Sequence, residues 1–293
     1  MNDQAEQLRQ LIATDATGPS GTRVITVTSG KGGVGKSNFT LNFALQLRAR
    51  GKKVLVFDAD NGFANIDVLM GLSTKFNLYH LLKRQKTIDE IIHQGYGELD
   101  FIAGGSGFRE LAFWSESDAQ YFADQVMQLN QRYDYILFDL GAGLSKESLK
   151  FIIAAHETIL VTTPEPTAIT DAYAIIKMVQ SMKFDVQFQL VVNRATDDFE
   201  GKYTADKITL VAKQFLNLEI PILGYLPEDP NVSKAVKKQV PFSVAFPNSS
   251  ASKKITSMVE VYLKKTEQTS EEAERIGVRG FLSRMMRLLQ SPS

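Results

Sequence analysis

Gly30-Lys31-Gly32-Gly33-Val34-Gly35-Lys36-Ser37 fits the pattern G-x-x-x-x-G-K-[ST] at every fixed position. Glycine at 30 and 35 allows backbone conformations that a side chain would block. The loop can then turn its N–H groups inward, toward an anion. Lys36 supplies a cation for β- and γ-phosphates, and the Ser37 hydroxyl is placed to ligate Mg²⁺. Gly32, Gly33, Val34 and Asn38 complete the cradle. Just before it, Val24-Ile25-Thr26-Val27-Thr28 is a β-branched run, as expected of a buried strand. Just after it, residues 38–50 carry Phe39, Phe43, Ala44 and Leu47 at helical spacing, and Gly51 can cap the end. The helix then adds its positive dipole end to the phosphate site.

Outward from this loop, short β-rich runs alternate with helical patterns. The strand candidates are 24–28, 54–58, 100–103, 135–139, 158–162, 188–192 and 222–226, and the helical stretches include 119–130, 146–154, 167–182 and 204–216. This is the pattern of an α/β fold, a single doubly wound, mostly parallel sheet covered on both faces. Ligands of such sheets bind at the carboxyl ends of the strands. The glycine loop, Asp58 and Asp139 each follow a strand directly, so they should converge on one edge. Residues 14–23 and 266–275 read as linkers. The expected organisation is an N-terminal flank (1–22), one nucleotide-binding domain (23–265) and a C-terminal flank (266–293).

The 293 residues carry 33 Lys+Arg against 33 Asp+Glu, so the net charge is zero, which disfavours a dedicated nucleic-acid binder. There is no cysteine, which excludes disulfides, a cysteine-ligated iron–sulfur cluster and a thiol nucleophile. No apolar run reaches the ~18–20 residues that span a bilayer. Met1-Asn2-Asp3-Gln4-Ala5-Glu6 is unlike a signal peptide. The expected location is the cytoplasm.

The octapeptide has an additional lysine, Lys31, after its first glycine. In this it resembles the deviant Walker A motif of the MinD/ParA family of ATPases. The resemblance implies a Mg²⁺- and ATP-dependent homodimer in which Lys31 reaches the partner's nucleotide and acts with Lys36 in catalysis. Val54-Leu55-Val56-Phe57-Asp58-Ala59-Asp60 resembles the family's switch I, with Asp60 holding the hydrolytic water and Asp58 supporting the metal. Read without the resemblance, two Asp after a strand also suit helix caps. Tyr135-Ile136-Leu137-Phe138-Asp139 has the Walker B form, and Leu140-Gly141-Ala142-Gly143 resembles switch II. Asp139 is then expected on Mg²⁺ through a water, and Gly141 near the γ-phosphate. Asn193 and Arg194 fall where the family contacts adenine, and Leu226-Pro227-Glu228-Asp229-Pro230 resembles its second base-contacting segment, which brings in Pro227 and Asp229. An Asn amide has the donor–acceptor pair that reads an adenine edge.

The two flanks narrow the resemblance. In residues 278–290, Val278, Phe281, Leu282, Met285, Met286, Leu288 and Leu289 share one helical face, and Arg279, Arg284 and Arg287 lie on the other. An apolar face beside arginines suits an anionic membrane surface, so this segment is expected to be a membrane-targeting helix that holds the protein reversibly on the inner face of the cell membrane, with a last helix packed on the core as the alternative. A single such helix binds weakly, whereas two on a dimer bind with avidity. Near the start, Asp3-Gln4-Ala5-x-x-Leu8-Arg9 is similar to the activator motif of FlhG proteins (also called YlxH or FleN). That resemblance implies stimulation of the signal-recognition-particle-type GTPase FlhF, contact with cytoplasmic-ring proteins of the flagellum, and control of flagellar number and placement. A MinD-type division-site ATPase, a ParA-type DNA-cargo protein and a phosphate-transferring metabolic enzyme are the competing readings.

Overall fold

The computed structural model describes residues 21–60, 65–105, 115–268 and 277–290. Eight strands form one sheet: β1 (Arg23–Thr28), β2 (Val54–Ala59), β3 (His93–Gln94), β4 (Asp100–Ile102), β5 (Tyr135–Leu140), β6 (Glu157–Thr162), β7 (Phe188–Ala195) and β8 (Ile222–Pro227). Their order is β3-β4-β2-β5-β1-β6-β7-β8. Every pairing is parallel except the edge pair β3–β4, in which His93 faces Phe101. The central strands β2, β5 and β6 are buried at every position, as two covered faces demand.

The helices are α1 (Lys36–Arg48), α2 (Ile66–Leu69), α3 (Leu78–Leu82), α4 (Glu116–Met127), α5 (Lys146–Ala154), α6 (Pro166–Ser181), α7 (Asp198–Leu216), α8 (Pro230–Lys238), α9 (Phe242–Ala245), α10 (Ser250–Gln268) and α11 (Gly277–Gln290). Two apolar clusters lie on opposite faces of the sheet. One joins α1 and α8 to α10 to the strands, and the other joins α3 to α7 and α11.

Two boundaries differ from the sequence reading. The linker ends before Arg23, which already belongs to β1, while the Thr22 hydroxyl donates to the Tyr133 carbonyl at 2.7 Å. At the other end α10 continues through Gln268, beyond the expected domain limit at 265. The last helix, expected on a membrane surface, is instead packed on the core in this conformation. Val278, Phe281, Leu282 and Met285 are buried in the core. Phe281 stacks on Phe138 at 5.3 Å and lies 5.9 Å from Phe151. Arg284 is turned inward as well: its Nε donates to the Ala154 carbonyl at 3.0 Å and a terminal nitrogen to Ala155 at 3.3 Å. It thereby satisfies carbonyls left open at the end of α5. Met286 and Leu288 are half-buried and Arg287 is exposed. The proposed membrane face is therefore not presented to solvent in this structure.

Candidate functional site

The loop between β1 and α1 sits at the carboxyl edge of the sheet, in its middle. Gly35 precedes the first turn of α1 with φ +88°, and no side chain caps that turn, so its amides face the loop. Two glycines are required by close approach. A Cβ at Gly30 would stand 2.4 Å from Asp171 of α6, and one at Gly35 would stand 2.3 Å from the Asn193 amide nitrogen. The loop is thus clamped between α6 on one side and the end of β7 on the other.

Within this clamp the two lysines of the octapeptide have opposite surroundings. Lys36 is 6% exposed, with its ammonium 2.9 Å from Asp139 and 3.9 Å from Asp60. Its Nζ also donates to the Ser37 hydroxyl at 3.3 Å. Lys31 is 32% exposed and pairs with Glu165, which directly precedes α6. Its Nζ also donates to the Thr167 hydroxyl at 2.9 Å. The Lys31 contact holds the Glu165 carboxyl below its usual range, with Arg194 adding a smaller pull.

Asp58 and Asp139 are partners in the β2–β5 register. Burial and then the charge of Asp139 push the Asp58 carboxyl up to about 7. Its two oxygens accept the amides of Asn65 (2.7 Å), Ile66 (3.2 Å) and Asp60 (3.3 Å). Asp58 is therefore a cap for α2, one of the two roles open in the sequence. Asp139 accepts the Thr40 hydroxyl at 2.7 Å on one oxygen, and its other oxygen is buried with no hydrogen-bond partner. A buried orphan carboxylate oxygen, on a side chain that pairs with the same Lys36 ammonium that donates to the Ser37 hydroxyl and next to a second carboxyl already resisting ionisation, fits a divalent cation. Mg²⁺ needs only one or two protein oxygens when phosphates and water supply the rest. No cluster of three or more His, Cys, Asp or Glu capable of holding a metal occurs among the described residues, in keeping with such a shared site.

Asp60 lies on the rim of the cleft, where its carboxylate accepts the Asn65 amide at 3.0 Å. Gly141 is buried at the end of β5, and the Gly143 amide donates to the Ser29 carbonyl at 2.8 Å, which ties the segment after β5 to the glycine loop. The Asn193 side-chain nitrogen donates to the Val34 carbonyl at 2.7 Å. Since that carbonyl can only accept, the amide oxygen is left as the outward acceptor. Asp229 has both carboxylate oxygens committed. They accept the Asn231 amide (2.8 Å), the Ser250 hydroxyl (3.0 Å) and the Ala251 amide (3.1 Å), at the starts of α8 and α10. Burial acts to raise its carboxyl, but these donors outweigh it and hold it low. Gly32, Gly33, Ser37, Asn38, Arg194 and Pro227 line the same cleft of about 650 Å³.

The structure therefore brings together the loop, Asp58, Asp60, Asp139, Asn193, Arg194, Pro227 and Asp229. Three participants escaped the sequence reading: Thr40, Glu165 and Thr167. Thr40 follows Lys36 by one helical turn, and Thr163-Pro164-Glu165-Pro166-Thr167 follows a strand, so both carried a positional signal. The motif at Asp3, Gln4, Ala5, Leu8 and Arg9 lies outside the described residues. Among the described residues no helix is long and apolar enough to cross a membrane.

Comparison with known proteins agrees with this geometry. The ParA family, described as NUBPL iron-transfer P-loop NTPase, matches residues 21–262. The flagellum site-determining protein YlxH of Helicobacter pylori is 36% identical over 99% of this chain and 100% of its own. The antiactivator FleN of Pseudomonas aeruginosa is 36% identical over 78% of this chain and 82% of its own. Among solved structures, the septum site-determining protein MinD of Pyrococcus horikoshii, complexed with Mg-ADP, superimposes with a TM-score of 0.69 at 23% identity, covering 85% of this chain and 99% of that one. The chain belongs to the MinD/ParA family of P-loop NTPases, within which it is FlhG-like. The iron-transfer role in that family's description does not extend to cysteine ligation here, since the chain has no cysteine.

Proposed function

We propose that this protein is a switch ATPase that dimerises on ATP and places or counts flagella, as the name of its Helicobacter relative suggests. The observation that carries the reading is the contrast between the two lysines. Lys36 is sunk among the carboxylates of its own subunit, whereas Lys31 stands at an open rim, held by Glu165 and the Thr167 hydroxyl. A cation so placed can leave Glu165 for a phosphate brought up by a second subunit, where it would neutralise charge on the transferring phosphoryl group.

In this reading the loop amides and Lys36 bind the phosphates, and the outward oxygen of Asn193 accepts from the adenine amino group. Guanine presents an acceptor at that position and would be refused. Mg²⁺, held by Ser37 and through water by Asp139, would offset phosphate charge, with Asp58 supporting that side of the site. Asp60 orients a water whose oxygen bonds to the γ-phosphorus as the bond to the bridging oxygen breaks, yielding ADP and phosphate. The Gly141 backbone lies beside the γ-phosphate and transmits its loss.

Membrane attachment requires α11 to leave its groove. Four buried apolar side chains at about 1.5–3 kcal/mol each set the scale of that cost. An anionic bilayer returns apolar burial to Phe281, Leu282, Met285, Met286, Leu288 and Leu289, with Arg284 and Arg287 at the headgroups. GTPase stimulation falls to Asp3, Gln4, Ala5, Leu8 and Arg9, with FlhF and flagellar cytoplasmic-ring proteins as partners, on the inner face of the cell membrane.

Sedimentation velocity with a slowly hydrolysed ATP analogue tests the dimer. The intact chain should shift to a dimer, and Lys31→Ala should stay monomeric and lose about 100-fold or more in ATP turnover. FlhF GTP turnover tests the partner. Stimulation should vanish on deleting residues 1–22 and with Gln4→Ala. Absent stimulation by the intact chain would favour a division-site partner instead.

A further inference from the structure

Arg194 has a feature that base recognition does not explain. It sits in left-handed backbone, φ +58°, at an irregularity where β7 loses register with β8 between Val192 and Ala195. A non-glycine residue held there is strained, and such strain persists where the surroundings impose it. Its side chain is exposed, and among the described residues it makes no hydrogen bond or ion pair. The residue before it, Asn193, is fixed to the glycine loop, and β6 runs parallel to β7 with Thr162 opposite Val192, so Glu165 and Arg194 lie just past the same ends of neighbouring strands. Its charge already helps to hold the Glu165 carboxyl low.

Glu165 presents a difficulty for the switch. Its carboxylate is satisfied by Lys31 and is 55% exposed. If Lys31 departs to a phosphate, that carboxylate is left facing the incoming nucleotide charge. We propose that Arg194 is a standby counter-ion, and that the Glu165 carboxylate passes from Lys31 to Arg194 when Lys31 is drawn away. The exchange conserves one ion pair while freeing the lysine. It also closes a link between the residue that precedes α6 and the end of β7. Arg194 is thus a positioning residue, acting on Lys31 through Glu165. The inference rests on the reading of Lys31 as a group that acts on a second subunit.

The test is a set of variants in the full chain. Lys31→Ala imitates the departed lysine. In that background Arg194→Ala should lower the Tm by about 1–3 °C more than it does in the wild type. The excess should vanish when Glu165→Gln is added. In wild-type background Arg194→Ala should raise several-fold the concentration of ATP analogue needed for half-maximal dimerisation, because Lys31 is no longer exchanged out. With Glu165→Gln present, Arg194→Ala should have no further effect on dimerisation. An Arg194→Ala effect that is the same with and without the Glu165 carboxylate overturns the exchange and makes Arg194 a direct nucleotide contact. Dimerisation indifferent to Lys31→Ala overturns the reading of Lys31 instead, while the melting comparison still decides whether Glu165 and Arg194 pair.

Discussion

The two C-terminal helices cover opposite faces of the same sheet and are fastened in different ways. α10 is tied by a buried polar network. The Tyr262 hydroxyl donates to Glu157, Arg23 pairs with Glu157 at 3.2 Å, and Gln189 donates to it at 3.0 Å. Tyr262 also meets Phe43 edge-on at 5.3 Å. α11 is held by apolar side chains and by Arg284, which donates to two carbonyls. Removing α10 would take the Tyr262 hydroxyl from the buried Glu157 carboxylate and break up a polar network shared with β1 and β7, which is costly. Lifting α11 exposes apolar surface that a bilayer can cover again and leaves carbonyls that water can satisfy. In the proposed function one cover stays in place and the other detaches, and the one that detaches carries the apolar and arginine faces read in the sequence.

The sharpest way to break this comparison is at Glu157. Glu157→Ala leaves Tyr262, Arg23 and Gln189 without their acceptor, and should cost about 3–5 kcal/mol of global stability in urea unfolding. A loss below about 1 kcal/mol would mean that α10 is held no differently from α11. Next is the groove that receives α11. Phe151→Ala removes a ring facing Phe281 without touching the apolar face itself, at a cost of roughly 3 kcal/mol or more. Amide exchange of residues 277–290 should accelerate far more than that of the sheet, and vesicle binding should become less dependent on nucleotide. Uniform acceleration across the chain would show that α11 is an ordinary part of the core.

Arg284→Ala is smaller. It deletes two charge-assisted bonds, worth about 1–3 kcal/mol together, and should raise exchange in α11 alone. Taken per unit, the smallest effect comes from pH. Burial, and then the positive charge of Arg284, push His156 down to about 4, and its Nδ1 accepts the Val24 amide at 2.9 Å. The unfolded chain binds a proton near pH 6.5 that the folded chain refuses until about pH 4. His156 therefore contributes stability that is complete above about pH 6.5 and is lost as the pH falls through that window, by up to about 1.4 kcal/mol per unit. Replacement of His156 by Gln should flatten that part of the stability curve. An unchanged slope would mean that His156 is not held neutral in the folded chain.

The sequence made the catalytic edge legible because its residues follow strands directly. The octapeptide, Asp58 and Asp139 could be placed from a local apolar run and the polar residue ending it. Seven strands were legible for the same reason. β3 was not, since two polar residues, His93 and Gln94, are defined by pairing with β4 rather than by any pattern of their own. Residues 230–238 and 250–268 passed unmarked although Asp229 caps both helices, because a cap serving a second helix 21 residues later has no local signature. Glu165 and Thr167 escaped because their partner lies more than 130 positions away. The residues of α11 favoured a membrane and did not reveal its groove, since the same apolar stripe suits a protein groove and a bilayer.

The measurement that bears most directly on the switch is co-sedimentation of the full chain with vesicles of anionic phospholipid, in Mg-ADP and in Mg²⁺ with a slowly hydrolysed ATP analogue. A nucleotide-governed α11 should pellet with the ATP analogue and little with ADP, with Lys31→Ala left in the supernatant in both. Equal pelleting in both nucleotides, or none in either, would contradict a detachable α11 governed by the nucleotide site.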